Sequence, residues 1–332
     1  MLSKRERLEK TFAGEATDRA PVALWRHWPG DDQRSADLAA AALDFQRRYD
    51  WDFIKISPSS SFCLTDYGVQ DRWVGNIEGT RDYVKRVVNR SLDWTDLRVL
   101  DPQRGALGRQ VDAVRQIVAG VTDETPAIQT VFSPLAQAKN IAGAEKVLEH
   151  IRTAPERVHT GLNTITESTL RFIDELGRTD IAGIYYAAQL ATYNLLSEDE
   201  YRTFGRPYDL RILEALSSKW WFNMLHVHGD EQSMFDLFMD YPVQAANWHD
   251  RDGGPDLAMG KSKFPGAVCG GLSHSDPLHD GTPSQVREQA RDAFGQTGQR
   301  RFILATGCVT MITSPQSNIR TVREVVDQFA YT

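Results

Sequence analysis

The sequence has few cysteines and no long apolar run, and each shortage excludes a class of protein. Only three of its 332 residues are cysteine, Cys63, Cys269 and Cys308, so reduced thiols are expected and a disulfide framework is not. No stretch approaches the roughly 20 apolar residues of a membrane span. The first segment is a charged amphipathic helix with no apolar signal region. We therefore expect a cytoplasmic protein that does not enter a membrane.

Basic residues are fewer than acidic residues, and several phosphate-binding and hydrolase motifs are absent. The formal net charge is −7, which argues against a nucleic-acid partner. No P-loop, G-x-S-x-G elbow or H-E-x-x-H helix occurs, so NTPase, serine-hydrolase and zincin functions are disfavoured. The pair Gly270-Gly271 has no G-x-G-x-x-G context. No nucleotide cofactor is expected.

The sequence does contain eight short apolar runs, each followed by a longer amphipathic segment. Alternation of this kind predicts parallel strands covered by helices. Eight units favour a closed TIM (β/α)8 barrel formed by residues 1–332 as a single domain. Two early stretches, 58–79 and 91–102, fit no unit and are expected as extra segments around the barrel mouth. The runs are PVALWR (21–26), FIKIS (53–57), AIQTVF (127–132), IAGIYYA (181–187), WFNMLHVH (221–228), VQAANWH (243–249), GAVCGGL (266–272) and FILATGCV (302–309).

The run ending in His226-Val227-His228 is the sharpest chemical signal. Residues two apart on a strand share a face, so both imidazoles point the same way. Cys308 ends the last run, and the active site of a TIM barrel lies at the carboxyl ends of its strands. Two histidines and one cysteine with an open position are typical of catalytic zinc. The alternative is a pair of hydrogen-bonded histidines beside a buried cysteine.

Three further polar side chains end predicted strands and are candidate substrate-binding residues. Arg26 suits a carboxylate or phosphate, and its alternative is an ion pair with Asp31 or Asp32. Lys55 is either paired with an acid such as Asp66, which we favour, or lowered in pKa for catalysis. Ser133 follows the third run. Together they predict a small anionic substrate.

Three residues are candidates for catalysis. Besides Arg26, His249 is a reserve metal ligand or general base, with a structural hydrogen bond to Asp250 as its alternative. Tyr185 and Tyr186 face opposite sides of their strand, so only one can line the barrel. We take Tyr186 as the catalytic candidate.

Several longer segments carry a resemblance to a known family. They are RAPVALWR, DFIKISP, TVFSPLAQA, DIAGIYYAAQLATYNLLSEDEYRTFGRPYDLRIL and GCVTMITSPQSNIRTVREVV. Over essentially its whole length, the chain resembles the uroporphyrinogen decarboxylase family. The resemblance implies a TIM barrel and one of two activities, tetrapyrrole decarboxylation or zinc-dependent methyl transfer with corrinoids and thiols.

The family's motifs divide between these activities. Of the decarboxylase pattern, the first arginine matches Arg26, but its second arginine falls on Gly30 and its aspartate-serine pair on Tyr186-Ala187. The methyltransferase pattern is H-x-C on the fifth strand and a cysteine on the eighth, here His226, His228 and Cys308. Only His228 departs from it, in place of a cysteine.

We therefore expect a zinc-dependent methyltransferase acting on a corrinoid or a small thiol or anionic substrate. The alternative is a lyase that decarboxylates a carboxylated substrate, with Arg26 binding the carboxylate and His226 or His249 handling the proton. A third hypothesis is a barrel that only binds a ligand. The candidate protein partners are a corrinoid protein and, in a homodimer, a second copy of the chain.

Overall fold

The computed structural model describes residues 1–121, 124–216, 219–229 and 232–330. Helices and strands alternate along this part of the chain, as the apolar runs predict. The helices are α1 (Lys4–Ala13), α2 (Ser35–Tyr49), α3 (Gly105–Gly120), α4 (Pro134–Ala142), α5 (Ala144–Thr153), α6 (Pro155–Leu176), α7 (Glu198–Phe204), α8 (Arg206–Glu214), α9 (Leu257–Lys263), α10 (Pro283–Thr297) and α11 (Gln316–Gln328). The strands are β1 (Ile54–Ile56), β2 (Gln70–Arg72), β3 (Asp82–Lys85), β4 (Ala127–Phe132), β5 (Gly183–Ala188), β6 (Met224–Val227), β7 (Ala245–Trp248), β8 (Ala267–Leu272) and β9 (Phe302–Thr306).

Within the described residues, seven of these strands form one curled parallel sheet in the order β1-β4-β5-β6-β7-β8-β9. Its strands are buried on both faces, with β4 to β9 composed mainly of apolar and small residues. Burial on both faces is expected when helices cover a parallel sheet. All carboxyl ends therefore meet at one edge, where the loops gather.

The first predicted strand, 21–26, is not a strand in the structure. Val22 makes a single parallel bridge to Leu304, and its carbonyl accepts a hydrogen bond from the Asp52 amide on the other side. The amide of Val22 donates to the Asp52 carboxylate at 2.8 Å instead of to a backbone carbonyl. This carboxylate also binds Arg7 and Arg19, so a buried ionic cluster stands where a longer strand would pair.

The two early extra segments behave differently. The first contains most of a two-stranded antiparallel hairpin, β2–β3, which spans residues 70–85 and is separate from the main sheet. The second contains a short helical turn, Ser91–Asp96. It packs on α5 and α6, where buried Trp94 donates to His150 and the Leu100 amide donates to Ser168.

Helix starts follow the capping signals in the sequence. Ser197 and Glu200 form a capping box at α7, and Thr282 and Gln285 form another at α10. Each box satisfies amide groups that the first helical turn leaves without partners. Among the described residues, no helix combines the length and apolar character that a membrane crossing requires.

Candidate metal centre and substrate pocket

A pocket of about 230 Å³ opens at the carboxyl edge of the sheet. β1, β4, β5 and β6 contribute residues to its wall, and so does the turn after β9. The β2–β3 hairpin and the loop between its strands cover one side. The polar side chains that line it are His27, Lys55, Ser60, Glu78, Thr80, Arg81, Tyr83, Thr130, Lys139, Asn140, Tyr185, Gln189, His226, His228 and Cys308.

Four potential metal ligands converge beside this pocket, and three of them line it. One ligand atom from each of His226, His228, His249 and Cys308 lies within 4.8 Å of all the others. The Cys308 Sγ atom is 4.0 Å from His226 Nε2, and the His228 and His249 rings are 4.9 Å apart. Metal–ligand distances near 2.0–2.3 Å are within reach of small side-chain rotations. The donor set, three imidazoles and one thiol, suits zinc.

Asn247 orients His226 for such a role. Its amide nitrogen donates to the carbonyls of Cys269 and Thr306 at 2.9 and 3.0 Å, so its Oδ1 must face the other way. This oxygen is 2.7 Å from His226 Nδ1 and also accepts the Tyr185 hydroxyl. His226 therefore carries its proton on Nδ1, and the lone pair of Nε2 faces Cys308. A metal-binding histidine is commonly held in this way.

Burial controls the protonation of these ligands. Loss of solvent lowers the pKa of His226 well below its usual value and lowers the pKa of His228 to about 3. Neighbouring histidines lower both pKa values further. Burial raises the pKa of the Cys308 thiol to about 11. At neutral pH the imidazoles are thus ready to donate a lone pair, whereas the thiol has a proton to lose.

Among the described residues Lys55 is not paired with an acid, contrary to the interpretation we favoured. Asp66 caps α3 instead, accepting from the amides of Ala106 and Leu107. Lys55 Nζ donates to Ser57 at 3.0 Å and lies 4.7 Å from the centre of the Tyr185 ring. Burial lowers its pKa to about 7.

Arg26 does not line the pocket. Its guanidinium stacks on Trp28, 4.7 Å from the ring centre, and it forms no ion pair with any carboxylate of the described residues. The assumed alternation was one residue out of step: Trp25 contacts Tyr185, and it is His27 that lines the pocket. Neither the anion clamp nor the alternative ion pair is present.

Ser133 and Tyr186 also lie outside the pocket. Ser133 is fully buried and caps α4, accepting from the Ala136 amide. Tyr186 projects from the opposite face of β5 and donates to Asp209 on α8 at 2.6 Å. Tyr185 is the member of the pair that faces the pocket.

His249 has a second set of neighbours besides the metal cluster. It forms another group of potential ligands with Asp252 and His274. His274 lies 3.4 Å from Asp252 and 3.7 Å from Glu78, and these contacts raise its pKa to about 9. An imidazolium between two carboxylates is therefore expected next to the cluster at neutral pH.

Sequence reasoning missed several pocket residues. His27 donates from Nδ1 to the Pro58 carbonyl, and burial lowers its pKa to about 4. Lys139, from α4, donates to Gln189, and burial lowers its pKa to about 8. Arg81 and Glu78 come from the hairpin. None of these residues ends an apolar run, so strand order provided no signal for them.

The model of the uroporphyrinogen decarboxylase family matches residues 3–329. The chain belongs to this family. A relative with 26% identity over 225 residues is the methylated-thiol–coenzyme M methyltransferase of Methanosarcina mazei. That match spans 61% of this chain and only 56% of the relative. The methylcobamide:CoM methyltransferase of Methanosarcina acetivorans is 20% identical over 350 residues, and the match covers 98% of both chains.

Solved structures support the fold. A methyltransferase from Methanosarcina mazei superimposes with a TM-score of 0.87 at 16% identity, over 99% of both chains. A B12-independent methionine synthase from Shewanella sp. W3-18-1 gives a TM-score of 0.60 at 13% identity, over 94% of this chain and 93% of that one. These likenesses establish the architecture of this family member.

Proposed function

We propose that this family member is a zinc-dependent methyltransferase whose metal is held by His226, His228 and Cys308. The observation that supports the proposal best is the convergence of these ligand atoms, with His249, within 4.8 Å at the pocket. The names of the relatives point to the same chemistry. Zinc, when bound, would supply the Lewis acidity that keeps an acceptor thiol deprotonated.

The pocket favours an acceptor that carries an anionic group. Lys55 and Lys139 both line it, and in the described part of the chain neither contacts a carboxylate. Their partners are the neutral side chains of Ser57 and Gln189. A buried cation without a counter-ion is costly, so a carboxylate or sulfonate on the acceptor would stabilise both lysines.

The size of the pocket decides which of the two reactants, the methyl acceptor or the methyl donor, it can hold. A volume of about 230 Å³ admits a small thiol but is far too small for a corrinoid. In this proposal a corrinoid on a partner protein stays outside the pocket and presents the methyl group at the mouth. The acceptor sulfur forms the new S–C bond, and the electron pair of the broken cobalt–carbon bond stays on the corrinoid.

The proposal includes a closed barrel. Residues 21–23 bond to Leu304 of β9 on one side and to Asp52, just before β1, on the other. The segment would thus take the eighth position between the two edge strands of the sheet. Decarboxylation gains no comparable support, because Arg26 was to bind the carboxylate and stacks on Trp28 instead.

Metal content and activity of cysteine variants test the proposal. We expect about one zinc per chain by elemental analysis and methyl transfer from methylcobalamin to coenzyme M. Cys308→Ser should lose both, whereas Cys269→Ser, a buried thiol outside the ligand cluster, should keep both. Full activity of the metal-free protein would contradict the zinc assignment. Zinc binding without methyl transfer to any thiol would contradict the activity.

A further inference from the structure

A second group of potential ligands lies beside the candidate metal centre. One ligand atom from each of His249, Asp252 and His274 lies within 4.8 Å of the other two. None of the three residues assigned to zinc belongs to this group. Nothing in the proposed methyl transfer uses Asp252 or His274.

The sheet itself brings these residues together. β7 and β8 are parallel neighbours, so their carboxyl ends meet at the same edge. His249 directly follows β7, and His274 is the second residue after β8. Asp252 lies in the turn after β7, where its amide donates to the His249 carbonyl at 3.2 Å. Two strand ends and one short turn therefore fix all three positions.

The spacing within this group suits a metal ion better than a hydrogen bond. His274 Nδ1 is 3.4 Å from Asp252 Oδ2, and this buried nitrogen has no hydrogen-bond partner among the described residues. A charge-assisted hydrogen bond is shorter, about 2.7–2.9 Å. Two atoms that each lie about 2.1 Å from one metal ion are roughly 3.0–3.5 Å apart. The separation of the two side chains falls in this range.

The surrounding groups orient these ligands. The other ring nitrogen of His274, Nε2, faces the Glu78 carboxylate at 3.7 Å. Ser273 donates to Asp252 Oδ1 at 3.0 Å, which leaves Oδ2 to face the His274 ring. Metal-binding histidines commonly place their second ring nitrogen against a carboxylate, and metal-binding carboxylates are hydrogen-bonded in turn. Both features are present around this group.

Charge and donor type decide which ion fits. Glu78 and Asp252 bring two negative charges, and among the described residues neither pairs with a lysine or an arginine. A divalent cation balances them. Two imidazoles and a carboxylate, with no thiolate, are harder donors than the zinc cluster and suit Mn²⁺ or Fe²⁺. The Asp252 side chain is 27% exposed, so an ion can enter from solvent.

We propose that His249, Asp252 and His274 bind a second divalent cation, of the Mn²⁺ or Fe²⁺ class, next to the zinc. This cation takes the place of the proton that His274 otherwise shares with its two carboxylate neighbours. His249 serves this site, since the proposed zinc ligands are the other three members of the first cluster. The second site does not depend on the methyltransferase assignment.

Titration of the zinc-loaded, full-length protein with Mn²⁺ tests the proposal, followed by the electron paramagnetic resonance signal of unbound Mn²⁺. The parent should bind about one Mn²⁺ per chain. His274→Gln removes a ligand and should weaken binding by at least about tenfold, the smallest loss expected even for an outer partner of a ligand. His279→Gln is the matched control, because His279 also contacts a carboxylate, Asp280, but lies outside the ligand group. It should leave Mn²⁺ binding unchanged.

Asp252→Asn keeps the test decisive if His274→Gln fails to fold, because it changes a partly exposed side chain. It should weaken Mn²⁺ binding by a similar factor. Cys308→Ser separates the two proposals, since it should lose zinc and still bind Mn²⁺. Loss of both ions in Cys308→Ser would place Mn²⁺ in the zinc cluster and overturn the second site.

Two other results would also overturn it. Mn²⁺ binding that both His274→Gln and Asp252→Asn retain at full affinity would place the ion elsewhere. Absence of Mn²⁺ binding to the folded parent would mean that His274 keeps its proton and the group is an ion-pair cluster only.

Discussion

Asn247 sets the state of the candidate metal centre through one oxygen atom. Its Oδ1 receives hydrogen bonds from His226 and from Tyr185, and two backbone carbonyls fix its amide nitrogen. The strand register brings His226 opposite Asn247 on β6 and β7. The pair therefore comes from backbone pairing, and local sequence around either residue gives no sign of it.

Removal of the Asn247 acceptor should weaken metal binding. Asn247→Leu leaves the Nδ1 proton of His226 without a partner, and we expect a loss of about 10- to 100-fold in zinc affinity. Competition with a chromophoric chelator measures it. Tyr185→Phe removes the other donor to the same oxygen and leaves His226 in place, so its zinc affinity should stay near that of the parent. Equal losses in both variants would contradict an orienting role.

Anion binding should depend on pH through the pocket lysines. Burial lowers the pKa of Lys55 to about 7 and that of Lys139 to about 8, so both lose their charge as pH rises through this range. The affinity for ethanesulfonate, which has no thiol to titrate, should fall by up to about tenfold per pH unit above neutrality. Titration calorimetry at several pH values measures it. In Lys55→Met the step near pH 7 should disappear; if it persists, Lys55 is not the titrating group.

The convergence of the three candidate metal ligands could be predicted from the sequence, and most of the other pocket residues could not. His226, His228 and Cys308 end apolar runs, so strand order alone brings them together. Arg26 was placed in the pocket by strand alternation, but its segment makes only a single bridge to the sheet. Alternation along such a segment does not tell which side chains face the pocket. Arg81 and Lys139 reach the pocket from a hairpin and a helix, whose positions depend on tertiary packing.

At the scale of elements, the segment 21–26 is anchored by a buried ionic cluster. Asp52, fully buried, accepts from Arg7 at 2.7 Å and from Arg19 at 2.6 Å. Asp52→Asn removes the buried carboxylate that two guanidinium groups share, and leaves Arg7 with Asp18 and Arg19 with Asp327 as counter-ions nearer the surface. We expect it to lower the free energy of unfolding by about 3–5 kcal/mol, as measured by urea denaturation.

Asp50 provides the matched control for this cluster. Its side chain is 55% exposed and pairs with Lys4 and Arg323. Pairs of this exposure contribute about 1 kcal/mol or less, so Asp50→Asn should change stability only slightly. If the two variants lose similar amounts, the cluster does not anchor the segment.

The contact between β5 and α8 should make stability depend on pH. Asp209 accepts hydrogen bonds from Tyr186, Tyr201 and Tyr241, yet burial raises its pKa to about 6. The pKa of Asp209 is lower in the unfolded protein, so the folded protein binds one more proton between about pH 4 and pH 6. The free energy of unfolding therefore falls as pH rises through that range. Urea denaturation at both pH values measures the change.

Asp209→Asn removes the titrating group from this contact. The variant should lose less stability than the parent between about pH 4 and pH 7, by a difference on the order of 3 kcal/mol. An equal loss in parent and variant would assign the pH dependence to other groups.

Some elements could be predicted with their ends, and others not at all. Capping boxes mark α7 and α10 because their chemistry is local to four residues. The β2–β3 hairpin escaped prediction because its strands are three and four residues long and mostly exposed, so they carry no apolar run.

For the whole molecule, the parallel sheet and its helical cover followed from the alternation of apolar runs. The closed barrel stays a proposal, as does the corrinoid partner. Assignment of residues 1–332 to one domain, a homodimer and a cytoplasmic location stay predictions. The homodimer depends on the molecular surface, and the location depends on the cell. A pattern of buried strands carries information on neither.

The β2–β3 hairpin forms part of the wall of the substrate pocket. Arg81 and Tyr83 line the pocket, and Arg81 pairs with Asp71 of β2. A ligand in the pocket therefore holds the hairpin against local opening. Amide hydrogen exchange of residues 70–85 should slow with ethanesulfonate, whereas α11 should not respond. Exchange in the hairpin that ignores ethanesulfonate would mean that the ligand leaves this wall of the pocket free to open.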